Sequence, residues 1–267
     1  MGIESLQGQE YRQRPFRICA EKVAEFVDVT GDDPDRWREF APPGFAAVLL
    51  FVVAPELLAD PLVDGAVVHG DQTFSWSGPL PVETDLVVSG SVDRVRMRGE
   101  VAFITFTLVA GTANEDLVEG RSTFLVGPSL APVESEAPPV AAGQRGDSGP
   151  LSRSLPSPRS ASRADLVRYA AASRDWNPIH WDHQSAVDAG LGGVVVHGLF
   201  QAAWLAQTAA LLGDGADPLR SARFRFTAPL RPGEAARVEG DLAGFEPDVR
   251  LLVGDRVTVS ARFQVGP

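Results

Sequence analysis

Lysine is almost missing from this chain of 267 residues. Lys22 is the only one, and the other 23 of its 24 basic residues are arginines. Cysteine is equally scarce. Cys19 stands alone, which excludes an internal disulfide and a thiolate-held metal cluster and leaves it to act as a small apolar residue. No run of about 18 apolar residues occurs, and no charged start leads into an apolar core, so neither a membrane span nor a secretory signal is expected and a cytoplasmic location is. Positive charge is in deficit: a formal net charge of -11 argues against a nucleic-acid surface, which needs clustered cations to meet backbone phosphates. Also absent are a nucleophile elbow, a phosphate-cradling glycine loop and a dinucleotide fingerprint. The arginine excess suits planar anions such as phosphate wherever several converge, and it equally fits a compositional bias.

What is present begins with 44% hydrophobic residues, enough to bury a substantial core. Residues 128–160 are rich in Pro, Ser, Gly and Ala and nearly free of large apolar side chains, which predicts a linker. On either side lie units at 1–127 and 161–267, and the two repeat each other. "FSWSGPLPVETDLVVSG" aligns with "FRFTAPLRPGEAARVEG" at an offset of 150, matching Phe74 with Phe224, Pro79 with Pro229, Leu80 with Leu230 and Gly90 with Gly240. Upstream, "PGFAAVLLFVVAPELLAD" aligns with "HGLFQAAWLAQTAALLGD" at an offset of 154. Both are apolar on nearly every side, as a helix buried over most of its surface must be, and Pro55 should bend or interrupt the first. Strands rich in Val, Phe, Thr and Ile follow in each copy. The fold class expected is α+β: two copies of a long central helix wrapped by an antiparallel sheet.

The copies differ ahead of the central helix. Asp32 and Pro34 resemble Asp175 and Pro178, but 11 residues separate Asp32 from Pro43 while 22 separate Asp175 from His197, and no histidine follows the first Asp-Pro. Chemistry, if the loop carries any, belongs to the second copy. There Ser162 should cap a helix that ends near Ser173 or Asp175, because Pro178 disfavours helical geometry at Asn177. Asp175 then faces the negative end of the helix dipole, which raises its pKa, and His180 titrates naturally near neutrality. Two readings stand side by side: the pair holds a reactive water, or the segment is a well-capped turn. Asp182 and His183 could extend the cluster into a metal site, which would need a third convergent ligand in a pocket. His69, ahead of a strand, reads as structural.

The stretch "YAAASRDWNPIHWDHQSAVDAGLGGVVVHGLF" resembles the signature of the MaoC-like (R)-specific enoyl-CoA hydratases and 3-hydroxyacyl-thioester dehydratases. "EFAPPGFAAVLL" and "VVHGDQTFSWSGPLPVETDL" resemble the domain that precedes the catalytic one in their two-domain members. The resemblance implies a double hot dog, with a degenerate copy at 1–127 and a catalytic copy at 161–267. It implies a dyad of Asp175 and His180, Asn177 shaping the loop, the Gly198 N-H polarising the thioester carbonyl, and His197 in support. It implies no cofactor and no metal, and an acyl-CoA or acyl carrier protein thioester as substrate, CoA being favoured for so acidic a chain. Arg174 stands where the family has glycine, with an acidic group or CoA phosphates as its expected partner, and Leu199 replaces a methionine. Arg223 and Arg225 are further candidates for phosphate. A non-catalytic thioester-binding subunit and a hot-dog thioesterase are the alternatives. Pairing of the halves within one chain and a homodimer of chains both fit.

Overall fold

The computed structural model describes residues 2–128, 158–213 and 215–266. Most of the expected linker, 129–157, lies outside the described residues. Its end is tied down: Arg159 forms a β-bridge with Ala236.

The first copy runs β1 (Glu10–Ile18), α1 (Ala20–Thr30), β2 (Phe40–Ala41), α2 (Ala46–Leu58), β3 (Ala66–Trp76), β4 (Leu80–Pro81), β5 (Thr84–Arg98), β6 (Val101–Gly111) and β7 (Asp116–Gly127). The second runs α3 (Arg163–Ser173), α4 (His183–Asp188), α5 (Gly198–Ala210), β8 (Leu219–Phe226), β9 (Arg237–Asp241), β10 (Asp248–Val253) and β11 (Arg256–Val265). Both apolar repeats are central helices of 13 residues. Val48, Leu49, Leu50 and Val53 of α2 and Leu205 and Ala209 of α5 are wholly buried. Each large apolar side chain buried this way stabilises the fold by about 1.5–3 kcal/mol. Pro55 does not interrupt α2, which continues to Leu58. A missing N-H so close to the end removes one bond of the last turn and leaves the buried part of the helix whole.

The strands of the two copies join in one nine-stranded antiparallel sheet, ordered β1-β5-β6-β7-β3-β8-β11-β10-β9. The seam is the β3–β8 pair, where Thr73 lies opposite Arg223, with Gln72 opposite Phe224 and Phe74 opposite Ala222. The numbers 73 and 223 differ by 150, the offset of the sequence repeat. Thr73 and Arg223 are therefore equivalent residues that face each other, and a pseudo-two-fold axis passes between them. Alternation sets the faces: Ala222 and Phe224 are buried while Arg223 and Arg225, alternating with them, are exposed.

Helices α1 and α3 are also equivalent. Each has 11 residues and ends in a left-handed cap, Gly31 at φ 65° and Arg174 at φ 68°, followed by Asp32 and Asp175. They pack together through the Phe26–Tyr169 ring contact at 6.0 Å and an Arg168–Asp28 ion pair.

Candidate active site

Helix α3 starts where expected. The Ser162 hydroxyl accepts from the Asp165 N-H at 3.2 Å, and the Asp165 carboxylate accepts from the Ser162 N-H at 2.9 Å, a reciprocal capping box. At the other end Ser173 closes onto Tyr169 O at 2.7 Å, and Arg174 turns the chain so that Asp175 enters the interior. Asn177 then caps a single 3-10 turn, Pro178–His180, and its amide donates to Val67 O of β3 at 2.8 Å. A first-copy strand thus fixes a second-copy loop. Asp182 caps α4 by accepting from the Ser185 N-H at 2.7 Å.

Asp175 and His180 are both buried, at 7% and 6% exposure, and Asp175 Oδ2 lies 4.0 Å from His180 Nε2. That is too long for a direct hydrogen bond and suits a water within reach of both. The His180 Nδ1-H donates to Val195 O at 2.9 Å, which leaves the Nε2 lone pair facing the carboxyl group. His197 is fully buried, stacks on His180 with centroids 3.7 Å apart, and donates from Nε2 to Asp175 O at 3.2 Å. It braces both members of the pair. Tyr169 in turn packs on His197 at 4.8 Å and on Phe200 at 4.5 Å. Gly198 follows His197 as the first residue of α5, so its N-H has no partner within the helix. A Cβ there would meet the Phe226 ring at 3.0 Å, which explains the glycine.

Burial controls the titration. It raises the Asp175 pKa to about 7 and lowers that of His180 to about 4. Desolvation, not the helix dipole, is the main cause for Asp175. Near neutrality His180 is therefore uncharged and Asp175 holds its proton part of the time. His197 is likewise held neutral by burial.

A cleft of about 1230 Å³ opens beside this pair. One wall is Asp175, Asn177, Ile179 and Ala189 of the second copy; the other is Phe51, Val52, Pro55 and Leu58 of α2. Arg174 lines it too. So does Lys22, to which nothing in the sequence points. Arg223 and Arg225 do not line it: they sit on the outer face of β8 in mid-sheet, so the expected phosphate contact from them is not formed by this cleft. His69 is packed among aromatic rings and does not line the cleft. Its ring lies between Phe124 and Phe226 at 4.9 and 5.2 Å, and its pKa is lowered to about 4, chiefly by desolvation and in part by nearby His180.

Asp175, His180 and His197 each offer a ligand atom within 4.8 Å of the others, the group of three that a metal site would need. Stacked imidazoles tilted by only 24° direct their lone pairs side by side, however, whereas a tetrahedral ion needs them to converge at about 2.0–2.1 Å. Asp182, spent on its cap, and exposed His183 are not part of this cluster.

Residues 150–260 match the family described as MaoC like domain. A UPF0336 protein of Cutibacterium acnes is 31% identical over 96 residues, 34% of this chain and 68% of that protein. The peroxisomal multifunctional enzyme type 2 of Drosophila melanogaster is 27% identical over 229 residues, 78% of this chain but 38% of that larger protein. Among solved structures, HtdX of Mycobacterium tuberculosis superposes with a TM-score of 0.76 at 19% identity, covering 96% of this chain and all of that one. A second protein of that organism, described as a double hot-dog fold, gives 0.61 at 15% identity, covering 97% and 96%. Two hot dogs share one sheet and the second holds the matched segment, so the chain has a double hot-dog fold that carries a MaoC-like dehydratase domain.

Proposed function

We propose that this protein reversibly hydrates 2-enoyl thioesters and dehydrates (R)-3-hydroxyacyl thioesters, with CoA the favoured carrier. The observation that carries the reading is the Asp175–His180 pair, 4.0 Å apart and buried, with Asp175 at the wall of a cleft large enough for an acyl thioester. In hydration, a water held between them loses a proton to His180 Nε2, whose lone pair is exposed because Nδ1-H is committed to Val195 O. The hydroxyl adds to the β-carbon, and protonated Asp175 delivers its proton to the α-carbon. A proton then returns from His180 to Asp175 and the pair is reset. The enolate-like charge that develops on the thioester oxygen meets the Gly198 N-H at the positive end of α5. No step needs a cofactor or a metal. In this reading the unit at 161–267 is catalytic and the degenerate unit at 1–127 supplies the opposite wall of the cleft.

The test is the loss of enoyl-thioester absorbance with crotonyl-CoA and a longer 2-enoyl-CoA. Wild type should hydrate at least one, and Asp175→Asn and His180→Ala should each fall about a hundredfold or more, as expected for a lost proton carrier. Unchanged activity in both variants would return the segment to a capped turn. Release of free thiol in place of absorbance loss would make the protein a thioesterase. Silence toward all thioesters, with the fold intact, would favour a binding subunit.

A further inference from the structure

We propose that Arg174 and Lys22 form an anion site in the cleft that takes a phosphate of the thioester's carrier, a proposal that rests on the thioester reading above. Of the three cations among the described residues that line the cleft, Arg14 is committed to Glu56, which it binds through Nε and Nη2 at 2.8 and 2.5 Å. Arg174 and Lys22 make no hydrogen bond or ion pair with any other described residue. The carboxylates of the cleft offset them only in part: Glu56 is taken by Arg14, Asp188 accepts from Gln184 at 2.8 Å, and Asp175 holds its proton part of the time near neutrality. In a chain of net charge -11, two cations in one cleft with no carboxylate paired to either favour an anionic ligand there.

The backbone at Arg174 makes the case specific to that side chain. It is one of two non-glycine residues with positive φ among those described, and its repeat partner Gly31 reaches the same conformation, φ 65° against 68°, with the residue best suited to it. An L side chain in this region is disfavoured. The second copy therefore keeps an arginine where glycine is the more stable choice, and does so at the cleft wall, one residue before Asp175. Such a penalty is retained where the side chain has work to do. Lys22 comes from α1, the repeat partner of α3 that packs against it, so the degenerate copy supplies the second cation. A guanidinium and an ammonium lining one cleft suit a phosphate, the first as a fork and the second as a point charge.

The experiment measures binding of CoA, 4'-phosphopantetheine and pantetheine to the full chain by calorimetry, for wild type, Arg174→Gly and Lys22→Gln, with melting temperatures alongside. Wild type should bind CoA more tightly than phosphate-free pantetheine. Arg174→Gly should cut that preference about tenfold, the size of one charge-assisted hydrogen bond to phosphate, while melting no lower than wild type because strain is relieved. Lys22→Gln should reduce it severalfold, and added salt should weaken CoA binding to wild type more than to either variant. If the preference already falls with phosphopantetheine, the phosphate common to CoA and carrier protein is the one read; if only with CoA, the nucleotide phosphates are. A preference unchanged in a folded Arg174→Gly, or equal wild-type affinity for CoA and pantetheine, would overturn the proposal. These readouts need no turnover, so loss of CoA preference in a protein that hydrates nothing would sink the hydratase reading and leave the anion site standing.

Discussion

Asp175 and His180 are two titratable groups whose shared burial pushes their pKa values in opposite senses, to about 7 and about 4. Catalysis by neutral His180 and protonated Asp175 should therefore be greatest between those values, and kcat/KM should fall as pH rises through about 7. A plateau reaching pH 9 would instead make the Asp175 carboxylate a base. Stability carries the same signature. The raised pKa of Asp175 contributes stability that is present below the usual carboxylate range and is lost as pH rises through 7. The lowered pKa of His180 contributes stability that is present above 6.5 and is lost as pH falls through 4. Asp175→Asn removes only the first contribution, so its melting temperature should exceed that of wild type at pH 8 by at least about 2–4 °C, the shift that 1 kcal/mol gives a chain of this size. Melting curves from pH 5 to 8 check it. Gly198 makes a separate claim: Gly198→Ala keeps the N-H but drives a Cβ against Phe226, so kcat should drop about tenfold, as for a partly misplaced oxyanion donor, and Phe226→Leu in the same chain should restore part of it.

The segment between α4 and α5 shows how a loop is made rigid enough to hold such a pair. Val195 O orients His180, and its neighbours are fastened from three directions: Val195 N-H to Ile179 O at 3.2 Å, Val196 N-H to Leu230 O at 2.8 Å, and the Arg231 guanidinium to the carbonyls of Leu191, Gly193 and Val194. Glu234 accepts from the Arg231 N-H and from Arg256, tying this corner to β11. Arg231→Met should leave those carbonyls without their donor. We expect about 1–3 kcal/mol of destabilisation and a kcat loss exceeding any change in KM, read by denaturant unfolding and steady-state kinetics; normal kcat in a destabilised variant would confine Arg231 to a structural role. Elements of this kind divide sharply in their legibility. The capped helix α3, its stop before Asn177-Pro178 and the buried helices α2 and α5 follow from local chemistry and hydropathy, so the sequence announces them. The dyad is legible for the same reason, its two members being five residues apart. Arg231 and Val67 meet the loop, and Lys22 the cleft, only through the tertiary fold, and the exposure of Arg223 and Arg225 was decided by the register of β8, which periodicity alone does not assign to a face. Pro55 misleads because its effect depends on its distance from the helix end.

At the scale of the molecule, duplication supplies a seam and a division of labour. The 150-residue offset was visible in the sequence, but that Thr73 and Arg223 pair directly, making one sheet of nine strands, depends on which edges meet. Because the two copies are fused this way, the first copy's α2 is the far wall of the second copy's cleft. A ligand pocket commonly occupies about 300–1,000 Å³, and this one, near 1230 Å³, exceeds what a four-carbon acyl group fills even with a pantetheine arm beside it. The shortened loop of the first copy and the apolar lining of Phe51, Val52, Pro55 and Leu58 make the surplus space suited to a long or bulky acyl group. Catalytic efficiency should then rise from four-carbon to longer 2-enoyl-CoAs, since each methylene buried is worth about 0.8 kcal/mol. Val52 is half-buried on that wall, so Val52→Trp should narrow the space without opening a cavity, lowering kcat/KM for long substrates about tenfold or more while crotonyl-CoA is turned over nearly as before. Equal losses on short and long substrates would place Val52 beside the thioester instead, and a strict preference of wild type for four carbons would mean that the surplus volume serves the carrier and not the acyl chain.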